Sequence, residues 1–485
     1  MATLTVGPFN RVEGDLEVHL EVADGVVRSA RVNSPLYRGF EQILHGREPL
    51  DALVIAPRIC GICSVSQSSA AARALADLAG CVPPPNGALA AGLVLACENL
   101  ADHITHFYLF FMPDFARPVY AAEPWYDWVE PRFRAADGAA ARAAIPARAG
   151  LLHLMGLLAG KWPHSLSLQP GGSTRPVQSQ ERLQLLAILA GFRGFLERET
   201  FGAPLETVVA LDSAGALAAW RDAAPPGQGD LRAFLHLAER LGLDHLGRGP
   251  RRFMSVGGPG ADGAALFAPG LWDHAAGAGP GALDLGGVRE DLSHSWMQGS
   301  AALHPSQGIT LPDADKAGAY SWCKAPRLGG EPVEVGALAR QLIDGQPLIL
   351  DLVRRAGASV HSRVVARLIE SARLVIAMET WVRELRPNEP FCAPLALPDD
   401  AAGVGLAEAA RGSLGHWVRL RHGRILSYQI IAPTTWNFSP RDVHGTPGPL
   451  EQALVGAPVR AGEDTPVAVQ HVVRSFDPCM VCTVH

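Results

Sequence analysis

Apolar and polar positions alternate near the start of the chain. Leu16, Val18, Leu20 and Val22 share one face, and Asp24-Gly25 supplies a tight turn before Val26–Val32, which predicts a β-hairpin. Beyond it the apolar spacing changes to threes and fours. That period predicts helices over Ser66–Leu78, Leu89–Phe111, Gln180–Arg198, Leu231–Leu241, Val333–Asp344 and Ser362–Leu385. Clusters of Pro and Gly punctuate them, at Pro83-Pro84-Pro85, Pro170-Gly171-Gly172 and Pro225–Gly229. Gly247–Gly287, rich in Gly, Ala and Pro, predicts a long irregular region. The expected class is α+β and predominantly helical, a large helical bundle core with an N-terminal β-hairpin region. No linker is long or polar enough to divide it, so residues 1–485 read as a single domain.

The most apolar stretch, Leu89–Met112, is interrupted by Glu98, Asn99, Asp102, His103 and His106. Charges in mid-segment point to a buried helix rather than a membrane span. Met1–Asn10 lacks the basic and apolar regions of a secretory signal, so the expectation is a cytoplasmic protein with no direct membrane span. The formal net charge of −6 offers no basic surplus for nucleic acid. Eight cysteines in 485 residues are too few for a disulfide-built scaffold, so their placement matters more than their number.

Two C-x-x-C pairs stand near opposite ends: Cys60-Gly61-Ile62-Cys63 and Cys479-Met480-Val481-Cys482. Such spacing lets two thiolates from one turn reach a single metal ion. Four thiolates allow structural zinc, an iron–sulfur cluster or a redox-active transition metal. A thioredoxin-type motif is the other reading of either pair, but neither sits in a strand–CxxC–helix unit. A zinc staple would make the chain a non-catalytic scaffold. Against it, structural zinc pairs usually lie within one small module, and a terminal residue such as His485 frays unless something holds it.

Arg58-Ile59-Cys60-Gly61-Ile62-Cys63-Ser64 and Asp477-Pro478-Cys479-Met480-Val481-Cys482-Thr483-Val484-His485 resemble the two signature motifs of nickel–iron hydrogenase large subunits. Arg11-Val12-Glu13-Gly14, Arg38-Gly39-Phe40-Glu41, Glu408–Gly412 and Gln429–Asn437 follow the same family's order across essentially the whole chain. The resemblance implies reversible heterolytic cleavage of H2 at a nickel–iron centre. Cys60, Cys63, Cys479 and Cys482 would bind nickel, Cys63 and Cys482 also bridging to an iron that carries two cyanides and one carbon monoxide. Soft thiolates suit such a centre. Pro433, Thr434 and Arg411 would line the pocket of the diatomic ligands, with Asp114 and Asp477 orienting Arg411. Cys479 would take the proton first and Glu13 would carry it away. Glu41, the carbonyl of Ile430 and His485 would hold Mg2+. In many family members a peptide beyond this histidine is cleaved after nickel insertion; here the chain stops at His485, with that step either done or omitted.

Three positions depart from the family's common pattern. Gln67 replaces a histidine behind the metal ligands, Ile62 a valine and Phe110 a leucine, the last two at the mouth of the family's gas channel. Added volume narrows a passage in a close-packed interior, and H2 is smaller than O2. Together these changes resemble the H2-sensing, regulatory subgroup, which implies low, oxygen-insensitive turnover, an iron–sulfur small subunit as electron partner, and a histidine kinase downstream. A respiratory uptake hydrogenase is the alternative. Asp15, in place of another common histidine, has no physical account. Cys81, Cys97, Cys323 and Cys392 are expected in the core, as are His103, His106 and His153, or hydrogen-bonded near the site.

Overall fold

The computed structural model describes residues 2–261, 264–276, 279–483 and 485; Val484 of the C-terminal motif and parts of the 247–287 region lie outside them. The N-terminal hairpin forms as the alternation predicts. Strand β2 (Glu17–Ala23) pairs antiparallel with β3 (Val26–Asn33), Leu20 opposite Ala30, and both turn residues, Asp24 and Gly25, take positive φ. An additional strand, β1 (Ala2–Val6), extends this sheet at the free edge of β2.

Five of the predicted helices appear close to their expected bounds. Helix α1 (Ser64–Ala79) ends at Gly80 in the left-handed conformation. Helix α2 (Pro85–Thr105) starts with proline at its first position and widens into a π-helical turn at His106–Phe111. Helix α3 (Ala139–Ala159) was not predicted, because its alanines, arginines and internal Pro146 carry no clear period. Helix α4 (Ser179–Phe195) likewise closes in a π-helical turn, and Asp230–Leu241 is helical as expected. The expected Val333–Asp344 helix shortens to α5 (Ala337–Ile343), because Gly336 at φ 132° cannot continue a helix. The longest helix, α6 (Val360–Glu384), opens with Ser359 capping the amide of Ser362 at 3.2 Å. Helices α2, α3, α4 and α6 pack on one another in a closed ring.

The 247–287 region is not wholly irregular: Arg252–Val256 pairs antiparallel with Pro269–Asp273. Strands β4 (Ala401–Ala409), β5 (Gly412–Arg421) and β6 (Arg424–Ile431) make an antiparallel meander, which Gly and Arg in the pattern had obscured. Helix α1 lies against β4 so closely that a Cβ on Gly405 would stand 1.9 Å from the carbonyl oxygen of Ala70. Small residues on both sides permit that approach. After β6 come a short helix α7 (Pro433–Asn437) and α8 (Val467–Ser475). Mixed helix and sheet describes the fold: 46% of residues are helical and 17% are in strands, so helix falls short of half. The largest apolar cluster extends from Val6 to Met480 and so draws on nearly the whole sequence.

Candidate metal centre

The first cysteine pair sits at a helix entrance. Cys60 is extended after the 3-10 turn Ala56–Ile59, and Cys63 occupies the position before α1. The second pair opens and ends a 3-10 turn just beyond α8: Cys479 precedes Met480–Cys482 and Cys482 is its last residue. The N-terminal loop joins the second pair by a backbone bridge between Glu13 and Cys479: the amide of Met480 donates to the Glu13 carbonyl at 2.7 Å. Gly14, at φ 80°, makes room for this, since a Cβ there would lie 2.9 Å from the amide nitrogen of Val481. Arg38 fastens both loops by donating to the carbonyls of Ile59 and Val481.

All four sulfurs lie within 4.8 Å of one another and are buried. Cys60 and Cys479 are 3.5 Å apart, Cys63 and Cys482 3.1 Å, and Cys479 and Cys482 3.0 Å, so the thiols are free, not bonded as disulfides. Sulfur contacts from Cys479, Cys482 and Cys63 hold Cys60 well below the usual thiol range. Those made with Cys479 and Cys482 push Cys63 well above it, and burial does the same to Cys479. Four converging sulfurs that resist ionising together are a donor set that a soft cation would complete. The residues fit such a metal.

Above the sulfurs stands Arg411. It occupies the two-residue turn between Ala409 and Gly412, the paired ends of β4 and β5. Its Nε donates to the Asp477 carbonyl at 3.0 Å, and its Nη2 donates to Asp102 Oδ1 at 2.8 Å and to Asp477 Oδ1 at 3.3 Å. Burial alone would lower the guanidinium, but the two carboxylates hold it well above its ordinary value. Burial drives Asp102 upward against the pull of Arg411. Burial acts on Asp477 in the same sense, yet the charges of Arg411, His106 and Arg367 keep it low.

Asp114 is a correction to the expected partners of Arg411. Its carboxylate pairs instead with Arg11 and, at 2.6 Å, with Arg474 Nη1, tying the N-terminal loop to α8. Burial would raise Asp114, but those arginines hold it low. In the sequence Asp102 is only a charge in an apolar helix; a carboxylate in mid-helix beside a histidine is the signal it offers.

Other expected residues gather as follows. The Thr434 hydroxyl accepts from the Cys479 amide at 3.2 Å, and Pro433 begins α7 beside it. Glu13 is half-buried, raised first by burial and then by Cys60, against Arg411 and Arg38. Gln67 Oε1 accepts from His416 Nε2 at 2.8 Å, and His416 Nδ1 in turn meets the Tyr428 hydroxyl at 2.8 Å. Ile62 packs against the apolar cluster that contains all four cysteines. Phe110, half-buried on the π-helical turn, belongs to none of the three apolar clusters, and its carbonyl accepts from Arg11 at 2.8 Å.

Glu41, Ile430 and His485 also converge. His485 Nε2 is 2.6 Å from the Ile430 carbonyl and 3.6 Å from Glu41 Oε1, while Nδ1 is 2.6 Å from the Cys482 carbonyl. An imidazole, a carbonyl and a carboxylate are a hard donor set suited to Mg2+. Sequence reasoning missed Lys324, whose ammonium reaches Glu41 at 3.3 Å and Glu290 at 3.2 Å. A lone lysine after Trp322-Cys323 gave no signal. Of the remaining cysteines only Cys97 and Cys323 are core residues; Cys392 is exposed and Cys81 half-buried. His103 and His106 are buried, but His153 is exposed, because its side of α3 faces outward.

The sequence profile of the nickel-dependent hydrogenases matches residues 38–125 and 143–485. The chain is 31% identical to the periplasmic [NiFeSe] hydrogenase large subunit of Desulfomicrobium baculatum, over 99% of this chain and 94% of that one. It is 28% identical to the hydrogenase-2 large chain of Escherichia coli K12 (99% and 97%) and to the uptake hydrogenase large subunit of Azotobacter chroococcum (99% and 95%). The solved structure of H2-activated Dm. baculatum [NiFeSe]-hydrogenase superimposes with a TM-score of 0.83 at 30% identity, covering all of both chains. With its four sulfurs in one buried pocket, the chain belongs to the nickel-dependent hydrogenases, as a large subunit.

Proposed function

We propose that this large subunit serves H2 sensing: it cleaves H2 slowly, tolerates oxygen, and reports to a histidine kinase in the cytoplasm. An iron–sulfur small subunit would take the electrons. Residues 1–485 act as one unit, because the sulfur pocket needs both ends of the chain. Cys60, Cys63, Cys479 and Cys482 would hold nickel, with Cys63 and Cys482 shared with an iron bearing two cyanides and one carbon monoxide. Glu41, the Ile430 carbonyl and His485 would hold Mg2+. When bound, the nickel–iron centre supplies the soft, redox-active chemistry that splits H2 heterolytically.

The chain's own residues handle the proton. Cys479 Sγ, one of the four sulfurs that would hold the metal and the one whose loop is joined to Glu13, would be the first acceptor. Glu13, joined to the Cys479 loop through its backbone, has a carboxyl raised by burial and moves the proton outward. Arg411, with Nε and Nη2 fixed by Asp477 and Asp102, is a rigid donor whose position costs nothing to set during the reaction.

The observation that carries the sensing role is Ile62 seated against the four-cysteine cluster, with Gln67 locked by His416 behind it. Infrared spectroscopy of mature protein tests the centre: absence of nickel and of cyanide and carbonyl stretches would sink it. The gas-channel role is tested by Ile62→Val combined with Phe110→Leu. H2 oxidation by the native protein persists in air, and the double variant loses most of it. A native protein that air inactivates, with a double variant no worse, would favour the alternative of a respiratory uptake hydrogenase.

A further inference from the structure

Arg411 is presented by a hairpin turn that the local sequence does not encode. Two-residue hairpin turns favour Asn-Gly, Asp-Gly or Gly-first pairs, because those residues accept the required backbone angles. Here the turn is Ala410-Arg411, between Ala409 and Gly412. Something else must set the position of a guanidinium held by Asp102 and Asp477 and electrostatically coupled to Cys479 and Cys63.

That something is a second arginine. Arg340, on α5, is fully buried, and every nitrogen of its fork is engaged. Nη1 donates to the Ala409 carbonyl at 2.8 Å and Nη2 to the Ala410 carbonyl at 3.1 Å, so the fork grips the two peptides leading into Arg411. Nη1 also donates to Glu408 Oε2 at 2.6 Å. Nε and Nη2 donate to the two oxygens of Glu370, on α6, at 2.9 and 2.6 Å, a bidentate pair that fixes the plane of the fork.

The chain of contacts then returns to its start. Glu370 Oε1 accepts from His103 Nε2 at 2.9 Å, and His103 follows Asp102, the residue that holds the other end of Arg411. One turn earlier on the same helix, Asn99 Nδ2 donates to the Glu408 carbonyl at 3.0 Å. Among the described residues His103 Nδ1 has no partner, in keeping with a neutral imidazole that donates through Nε2. Burial, only partly offset by Glu370, keeps that imidazole neutral.

We infer that Arg340, Glu370 and His103 are positioning residues for Arg411, forming a closed ring that fixes the hairpin turn against α2 and so sets where the guanidinium stands. The ring runs from Arg411 to Asp102 and His103, across Glu370 to Arg340, and back through the carbonyls of Ala409 and Ala410. The inference rests on the proposed centre for its chemical consequence but not for its geometry. A ring of this kind transmits a displacement: releasing the turn moves Arg411 although Arg411 and both its carboxylates are untouched.

Arg340→Lys tests it, because lysine keeps the charge but cannot grip two carbonyls and a carboxylate at once. Two readouts are needed. In the metal-free chain, amide exchange at residues 409–412 accelerates while that of the Leu20–Ala30 hairpin region does not change. In the loaded protein, the cyanide stretches shift and kcat falls roughly 10–100-fold with KM for H2 little altered. If Arg340→Lys does not fold, Glu370→Gln, which removes the carboxylate charge at constant volume, gives the same pair of changes in smaller degree. Unaltered exchange at the turn in the folded variant overturns the ring. A native protein without cyanide stretches would instead overturn the proposed centre, and the exchange measurement would still decide the ring.

Discussion

Two buried polar sites lie within a few residues of one another at the C-terminal end, and they balance charge in opposite ways. Around Glu41, negative charge already has its counterpart: Lys324 stands between Glu41 and Glu290, and Thr310 donates to Glu41. Burial alone would lower that ammonium, but the two carboxylates hold it well above its usual range. Around the four cysteines no such partner touches the sulfurs among the described residues. Arg411 is the adjacent cation, and Asp102 and Asp477 already claim it. The hard site thus carries a cation of the protein itself beside the donors that would take Mg2+, whereas the soft site is a set of donors with no such cation against them. The two sites should therefore respond differently to loss of one member: Lys324 balances buried charge in the fold, and the sulfurs serve what binds among them.

Three predictions probe that contrast. The largest effect is expected for Cys482→Ala, which removes one of four sulfurs from a pocket with no substitute donor. Nickel content and H2 oxidation fall to background, while the metal-free chain keeps its melting temperature; an equal loss of fold in the metal-free chain would break the contrast. Next is Lys324→Met, which leaves two buried carboxylates facing each other unpaired. Breaking a buried pair from one side costs about 3–5 kcal/mol, readable as a shift in the denaturant midpoint. A second change, Glu290→Gln, restores part of that loss.

The smallest concerns Glu98, which supports the soft site from behind. Its carboxylate accepts from the amides of Val65 and Ser66 at the start of α1, from the Ser66 hydroxyl, and from Trp162. Burial, against those hydrogen bonds, raises it from 4.5 to about 7. A carboxyl raised on folding binds its proton more tightly in the native state, so its contribution is full below pH 4.5 and declines as pH rises through about 7. The decline amounts to about 3 kcal/mol at most. Glu98→Gln flattens that part of the stability profile between pH 4.5 and 7, and an unaltered profile would show that Glu98 titrates normally.

What the sequence revealed depended on whether the deciding force was local. The hairpin around Asp24-Gly25 and helix α2 follow from nearest-neighbour spacing, and both form as read. Helix α3 hid because alanine fits any face, and the β4–β6 meander because glycines stand where α1 needs close approach. The four cysteines were legible because the C-x-x-C spacing is itself chemistry. Their surroundings were less so. Asp102 and Asp114 are about three helical turns apart with a π-helical turn between them, so regular helical spacing does not reveal which one meets Arg411. Lys324 and Arg340 were invisible for the same reason: each acts through partners contributed by distant segments.

The bridge between Glu13 and Cys479 also imposes an order in time. Cys60 and Cys479 are separated by 419 residues, which the ribosome needs roughly 20–80 s to add. Throughout that interval the first pair of thiols exists without the second, beside an N-terminal loop whose strand partner is unmade. The pocket can close only after its last wall arrives, and once closed it is sealed by Met480, Arg38 and His485. Both ends of the chain enclose the sulfurs, so exchange of a bound metal would require parting them.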